Sequence, residues 1–110
     1  PTAVAADAEK IGEQLTAMWR QIADTFADFD QHVIFEGMNE PRAQGTNYEW
    51  SGNAACYAAV NYLNQVFVNT IRKDAKGCNA ERCLMIPGYA ATSSPAGIVA
   101  EACCSRMRWP

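Results

Sequence analysis

Asn39-Glu40-Pro41 is the segment whose residue types and order could do chemistry. A glutamate can give and take a proton, and an amide beside it can both donate to and accept from a hydroxyl. A proline next in line fixes the backbone that carries them. The tripeptide closes a run that begins Val33-Ile34-Phe35, too short and too apolar for a surface helix. It reads as a buried strand with its polar residues gathered at the carboxyl end. Sheets and barrels of the α/β class place their reactive groups there, where the loops begin. A carboxyl in such a cleft can be kept protonated near neutral pH by burial and by neighbouring negative charge. The chemistry expected is proton transfer to and from an oxygen.

The elements that must position this segment are legible from periodicity. Residues 8–29 form one amphipathic helix, in which Ile11, Leu15, Met18, Ile22, Phe26 and Phe29 recur at three- and four-residue intervals. Asp7 is its expected N-cap, and Glu9 and Glu13 suit the positive end of the helix dipole. After the strand, a polar loop from Arg42 to about Asn53 carries Tyr48, Glu49 and Trp50. Ser51 or Asn53 caps a second helix over residues 54–74, with Val60, Leu63, Phe67 and Ile71 as its buried stripe. Lys73, Lys76 and Gly77 mark its end. A second short strand, Cys83-Leu84-Met85-Ile86, stops at Pro87-Gly88. Two strands joined by a helical crossover must run parallel. Residues 98–107 allow a short helix, although no clear stripe supports it.

Bulk composition narrows the function classes. The chain has 110 residues, room for one small domain, and its 49% hydrophobic and 19% charged residues are ordinary for a globular protein. A net charge of −3, with no basic cluster longer than Arg72-Lys73, argues against a nucleic-acid partner. No run approaches the roughly 18 apolar residues of a bilayer span, so no membrane partner is expected. The first residue is Pro1, so either a leader has been removed or the chain begins inside a longer product. Five cysteines, Cys56, Cys78, Cys83, Cys103 and Cys104, fit no complete disulfide framework. Their spacing, with no histidine near them, makes structural or free thiols the better reading than a metal site. A bridge between Cys78 and Cys83 across a turn has only weak support from the spacing.

Longer stretches carry a family resemblance. Trp19-Arg20-Gln21-Ile22-Ala23 with Phe26, followed by Phe35-Glu36-Gly37-Met38-Asn39-Glu40-Pro41-Arg42, resembles the cellulases of glycoside hydrolase family five. The resemblance continues through Glu49-Trp50, Asn61-Tyr62-Leu63-Asn64-Gln65-Val66-Phe67-Val68, Ile71-Arg72 and Arg82-Cys83-Leu84-Met85-Ile86-Pro87-Gly88-Tyr89. It covers roughly residues 11–92 and implies an α/β piece of a (β/α)8 barrel, from about its third helix to its fifth strand. It further implies a retaining endo-β-1,4-glucanase that needs no cofactor or metal, acts on β-glucan polysaccharide or oligosaccharide, and is secreted to meet it. Carried across residue by residue, Glu40 is the acid/base and Asn39 contacts the sugar at the cleavage point. The family's nucleophile, a glutamate ending the seventh strand, has no counterpart here, nor do its strand-three and strand-six histidines or the tryptophan after its eighth strand. A whole barrel takes about 250 residues. The chain is therefore expected to be a catalytically silent internal fragment, residues 1–92 being partial barrel and 93–110 an unassigned tail that leaves the family pattern.

Other residues weigh less. Trp50 could stack on a pyranose face, and Tyr89, just past the second strand, lies at the correct end of the sheet to reach a sugar. Packing is the plainer reading for both. Arg42 is expected to pair with an acidic neighbour and Glu36 with a cation. Trp19 is expected to pack, and His32 enters the strand away from the chemistry. Two other function classes remain: a small non-catalytic α/β binding or structural domain, and a thiol redox module, which lacks a Cys-x-x-Cys pair.

Overall fold

The structure, a computed structural model, describes residues 7–92. The expectations for residues 93–110, the helix over 98–107 and the thiols of Cys103 and Cys104 lie outside them. Helix α1 spans Ala8–Thr25, strand β1 Phe35–Glu36, helix α2 Ala54–Arg72 and strand β2 Leu84–Met85. Short 3₁₀ turns follow α2 at Gly77–Ala80 and β2 at Tyr89–Ala91. The strands are parallel, with Phe35 opposite Leu84 and Glu36 opposite Met85. Phe35 N–H donates to Cys83 O at 3.2 Å and Gly37 N–H to Met85 O at 3.0 Å.

The two helices pack together on one side of this strand pair. Their shared core is Leu15, Trp19 and Ala23 from α1, Phe35 from β1, and Leu63, Phe67 and Ile71 from α2. The α2 stripe is buried as expected. Of the α1 stripe, Leu15 is buried and Ile11, Ile22 and Phe26 pack against the core, whereas Met18 and Phe29 are exposed and Trp19, expected to pack, takes the centre, its ring centroid 4.7 Å from Phe67 and 5.3 Å from Phe35. An indole covers more core surface than a methionine, so the helix turns its largest apolar group inward.

Helix α1 ends at Thr25 rather than Phe29, and a buried arginine explains why. Arg82 is 0% exposed, and its guanidinium donates to Phe26 O, Phe29 O, Asp30 O and Val33 O at 2.6–2.8 Å. Those carbonyls are drawn toward one cation instead of continuing the helix ladder. The same guanidinium lies 4.7 Å from the Phe35 ring centroid and donates to Asn79 Oδ1. Arg72 donates to Asn79 O and Arg82 O, tying the end of α2 into this knot. Burial lowers the Arg72 pKa from its ordinary value.

The caps divide. Asn53 Oδ1 accepts from Cys56 N–H at 3.0 Å, whereas Asp7 makes no side-chain cap bond. Helix α2 stops at Arg72, slightly before the expected residue 74. Gly77, at φ 54°, is required by closeness as well as by conformation: a Cβ there would meet Ala27 O at 2.4 Å. Both strands are shorter than their apolar runs, because only two residues on each face a pairing partner among the described residues. Cys56, Cys78 and Cys83 are free thiols, so the Cys78–Cys83 bridge is not formed.

Candidate active site

The site is assembled where the two parallel strands end. Gly37 leaves β1 with its α-carbon against the core, since a Cβ would lie 2.8 Å from Phe67 Cδ1. The chain then surfaces, and Asn39 and Glu40 are exposed on the rim. Glu40 has φ 40°, in the left-handed region. A non-glycine residue there costs on the order of 1 kcal/mol or more and persists only when its surroundings hold it.

What holds it is a clamp from both sides. On the far side of β2, Ala90 and Ala91 also have positive φ, 51° and 50°. Ala90 N–H donates to Pro41 O at 2.9 Å, which ties the turn after β2 to the residue that follows Glu40. On the near side, Arg42 Nη1 donates to Glu40 Oε2 at 3.2 Å and to Glu40 O at 3.4 Å. Arg42 Nε donates to Glu49 Oε1 at 3.2 Å, and Gly45 N–H donates to Glu49 Oε2 at 3.0 Å. The Arg42 guanidinium carbon lies 4.7 Å from the centroid of the Trp50 ring, which is 66% exposed. Hydrogen bonds from Gly45 N–H and from Arg42 hold the Glu49 carboxyl below its ordinary value.

Glu40, Arg42, Glu49 and Trp50 are therefore one linked group, and Asn39 precedes it in the chain. Arg42 finds the acidic neighbour expected of it, in fact two. Glu49 is the member that sequence reasoning missed, and the signal was present: an acid seven residues after the arginine, across a loop with a glycine at its bend. Both Glu49 oxygens are committed to donors, so it serves as the anchor of Arg42 rather than as a second reacting carboxylate. The Glu40 carboxyl, with its side chain 45% exposed, faces a cation instead of the negative charge and burial expected for a strand-mouth acid.

Tyr89 is a correction. It is 1% exposed, packed edge-to-face on Tyr57 with centroids 5.7 Å apart, and offers no face to a sugar. Its hydroxyl accepts from Ala43 N–H at 2.9 Å and donates to Tyr48 O at 2.8 Å. Its pKa is raised, first by burial, with contributions from Cys56 and from the charge of Glu49. Glu36 is exposed and forms no ion pair among the described residues, against expectation. His32 lies at the opposite end of β1, its Nδ1 2.9 Å from Asp30 Oδ1. Among the described residues no three or more His, Cys, Asp or Glu side chains gather as a metal site, and no helix is long and apolar enough to cross a membrane.

With this geometry in place, similarity decides the family. The sequence pattern of Cellulase (glycosyl hydrolase family 5) matches residues 1–102. The chain belongs to glycosyl hydrolase family 5. Among curated relatives of this family 5 chain, endoglucanase B of Ruminococcus albus is 49% identical over 81 residues, 74% of this chain and 20% of its own length. Endoglucanase B of Neocallimastix patriciarum is 55% identical over 78 residues, 70% of this chain and 16% of its own. Among solved structures, the GH5-4 broad specificity endoglucanase of Ruminococcus flavefaciens superposes with TM-score 0.84 at 42% identity, over 91% of this chain and 29% of that one. The corresponding enzyme of Ruminococcus champanellensis, solved with bound cellotriose, gives TM-score 0.82 at 44% identity, over 91% and 28%. The family 5 chain thus spans about a fifth of the curated relatives it matches and under a third of the solved ones. Its parallel strands and flanking helices are a piece of the family's (β/α)8 barrel.

Proposed function

We propose that this chain carries the acid/base half of a retaining endo-β-1,4-glucanase site. The observation that carries the reading is Glu40 itself: a carboxylate at the carboxyl end of a parallel strand, in a strained left-handed turn clamped from two sides. In this role Glu40 protonates the oxygen of the leaving sugar, then takes a proton from the water that releases the glycosyl group. Asn39 hydrogen-bonds a hydroxyl of the sugar at the cleavage point. Trp50, steadied by Arg42, offers its exposed ring for stacking.

Retention requires a nucleophilic carboxylate about 5–5.5 Å from the acid. That carboxylate would come from polypeptide outside this chain. The partner is a β-glucan chain; the similar proteins include a xyloglucan-specific endo-β-1,4-glucanase and a lichenase, so relatives differ in the glucan they cut. A polymer of that size lies outside the cell, which makes secretion the matching location.

The test is a graft. Residues 11–92 replace the matching segment of endoglucanase B of Ruminococcus albus, and hydrolysis of an aryl cellobioside is followed in the folded hybrid. Glu40→Gln should lower its kcat by about 10² to 10⁴, the range of general acid/base catalysis. A Glu40→Gln hybrid as active as its parent would reject the assignment.

A further inference from the structure

The acid/base reading leaves one buried ionisable group at the strand ends without a task. Tyr89 is 1% exposed, yet its hydroxyl makes two hydrogen bonds to the loop that follows Glu40. It accepts from Ala43 N–H at 2.9 Å, one residue beyond Arg42, and donates to Tyr48 O at 2.8 Å, one residue before Glu49. The next residue, Ala90, donates its N–H to Pro41 O at 2.9 Å, one residue beyond Glu40. Two successive residues after β2 therefore grip the loop at three places that flank Glu40, Arg42 and Glu49.

We infer that Tyr89 is a positioning residue of this site: its phenol hydroxyl sets the course of the 42–50 loop, and through the Glu49–Arg42 pair it sets where the Glu40 carboxylate points. The inference rests on the acid/base reading of Glu40 for its functional meaning, but the geometry stands by itself. The hydroxyl suits the task because a phenol is at once donor and acceptor, so one atom can join an N–H to a carbonyl that could not bond each other directly. Burial pushes its pKa up, so the proton needed for the Tyr48 bond stays in place across the neutral range. Gly52, at φ 66°, closes the far end of the loop against the same ring; a Cβ there would lie 3.0 Å from Tyr89 Cδ1. The ring supplies packing, and the oxygen supplies register. Removing only the oxygen separates the two roles.

Tyr89→Phe in the 110-residue chain is the variant to make, read by amide exchange and carboxyl titration in NMR. The Ala43 amide should exchange about tenfold faster, as expected for loss of one hydrogen bond, while Leu63 and Phe67 in α2 exchange as before. The Glu49 titration should rise toward the ordinary carboxylate value, because both groups that hold it down belong to the released loop. A folded variant in which Ala43 exchange and Glu49 titration are unchanged overturns the inference. If the variant does not fold, the unaltered chain decides. A slowly exchanging Tyr89 hydroxyl proton close to the Ala43 amide supports the inference, and an Ala43 amide exchanging at the unfolded rate overturns it. None of these measurements involves glycoside cleavage, so their failure would leave the Glu40→Gln test untouched.

Discussion

The Trp19 indole N–H donates to the carbonyl of Gly37 at 3.1 Å, which fastens the centre of helix α1 to the point where β1 turns toward Glu40. The same ring packs on Phe35 and Phe67, so one side chain joins helix, strand and second helix. Trp19→Phe keeps most of the packing and removes the donor, leaving a buried carbonyl without its partner. Urea unfolding should show a loss of about 1–3 kcal/mol. No loss at all would mean that the bond contributes nothing net.

Two glycines on either side of Glu40 should respond differently to a methyl group. At Gly37 the added Cβ would lie 2.8 Å from the Phe67 ring, which cannot retreat inside a packed core. Gly37→Ala should destabilise by about 1–3 kcal/mol, the range for overpacking. At Gly45, φ 73°, nothing lies within 4 Å, so Gly45→Ala meets only backbone strain of about 1 kcal/mol. Equal losses in thermal denaturation would contradict this distinction.

Arg82 carries a buried charge held by four backbone carbonyls and Asn79 Oδ1. Phe26 O and Asp30 O also accept from Phe29 N–H and Val33 N–H, so Arg82→Met strips the donor from Phe29 O and Val33 O, at about 1–3 kcal/mol for each one left dry, a large share of what a small domain can lose. Arg82→Lys should not restore the fold, since an ammonium has three donors and no planar fork. Circular dichroism at 222 nm would report both. Native helicity in the methionine variant would show that water satisfies the loop.

Acid should weaken the fold through two identifiable carboxylates. Asp30 is held below its ordinary carboxylate value, chiefly by His32 N–H and the His32 ring, and Glu49 below its own by Gly45 N–H and Arg42. Both are lower in the folded chain than in the unfolded one, so in acid the unfolded chain binds more protons. Their contribution is complete above the ordinary carboxylate values and disappears as pH falls through the lowered folded ones. An Asp30→Asn, Glu49→Gln double variant should have a flatter stability profile below about pH 4.5. An acid limb as steep as before would assign the effect to other groups.

The 110 residues alone should hydrolyse no aryl cellobioside above background. An acid without its nucleophile loses most of the rate enhancement, because the two act as a unit. Retaining turnover by the purified monomer would refute this.

Much of this was legible beforehand because α2 and the two apolar runs have unambiguous periods. Val60, Leu63, Phe67 and Ile71 occupy the core face their spacing predicts. On α1 the spacing predicts Leu15, Ile11, Ile22 and Phe26 correctly and fails at Met18 and Phe29, which continue the apolar rhythm while Trp19 has the larger area to bury. The place of Asn39-Glu40-Pro41 just after β1 follows from strand and turn signals. The clamp around it does not, because no sequence period registers a tyrosine oxygen reaching 46 residues back along the chain. Tyr89 accordingly takes the packed place that is its plainer reading, not the sugar-facing one.

That long reach has a consequence during synthesis. Residues leave the ribosome in order, and Tyr89 follows Ala43 by 46 residues. At about 5–20 residues per second, the segment holding Glu40 emerges roughly 2–9 s before the side chain that shapes it. Over that interval Glu40 sits in an open chain, exposed to whatever surrounds a nascent polypeptide. The two hydrogen bonds from Tyr89 to the loop form only once residue 89 has emerged, so a polypeptide released just short of it would keep Asn39-Glu40-Pro41 and lack those two bonds.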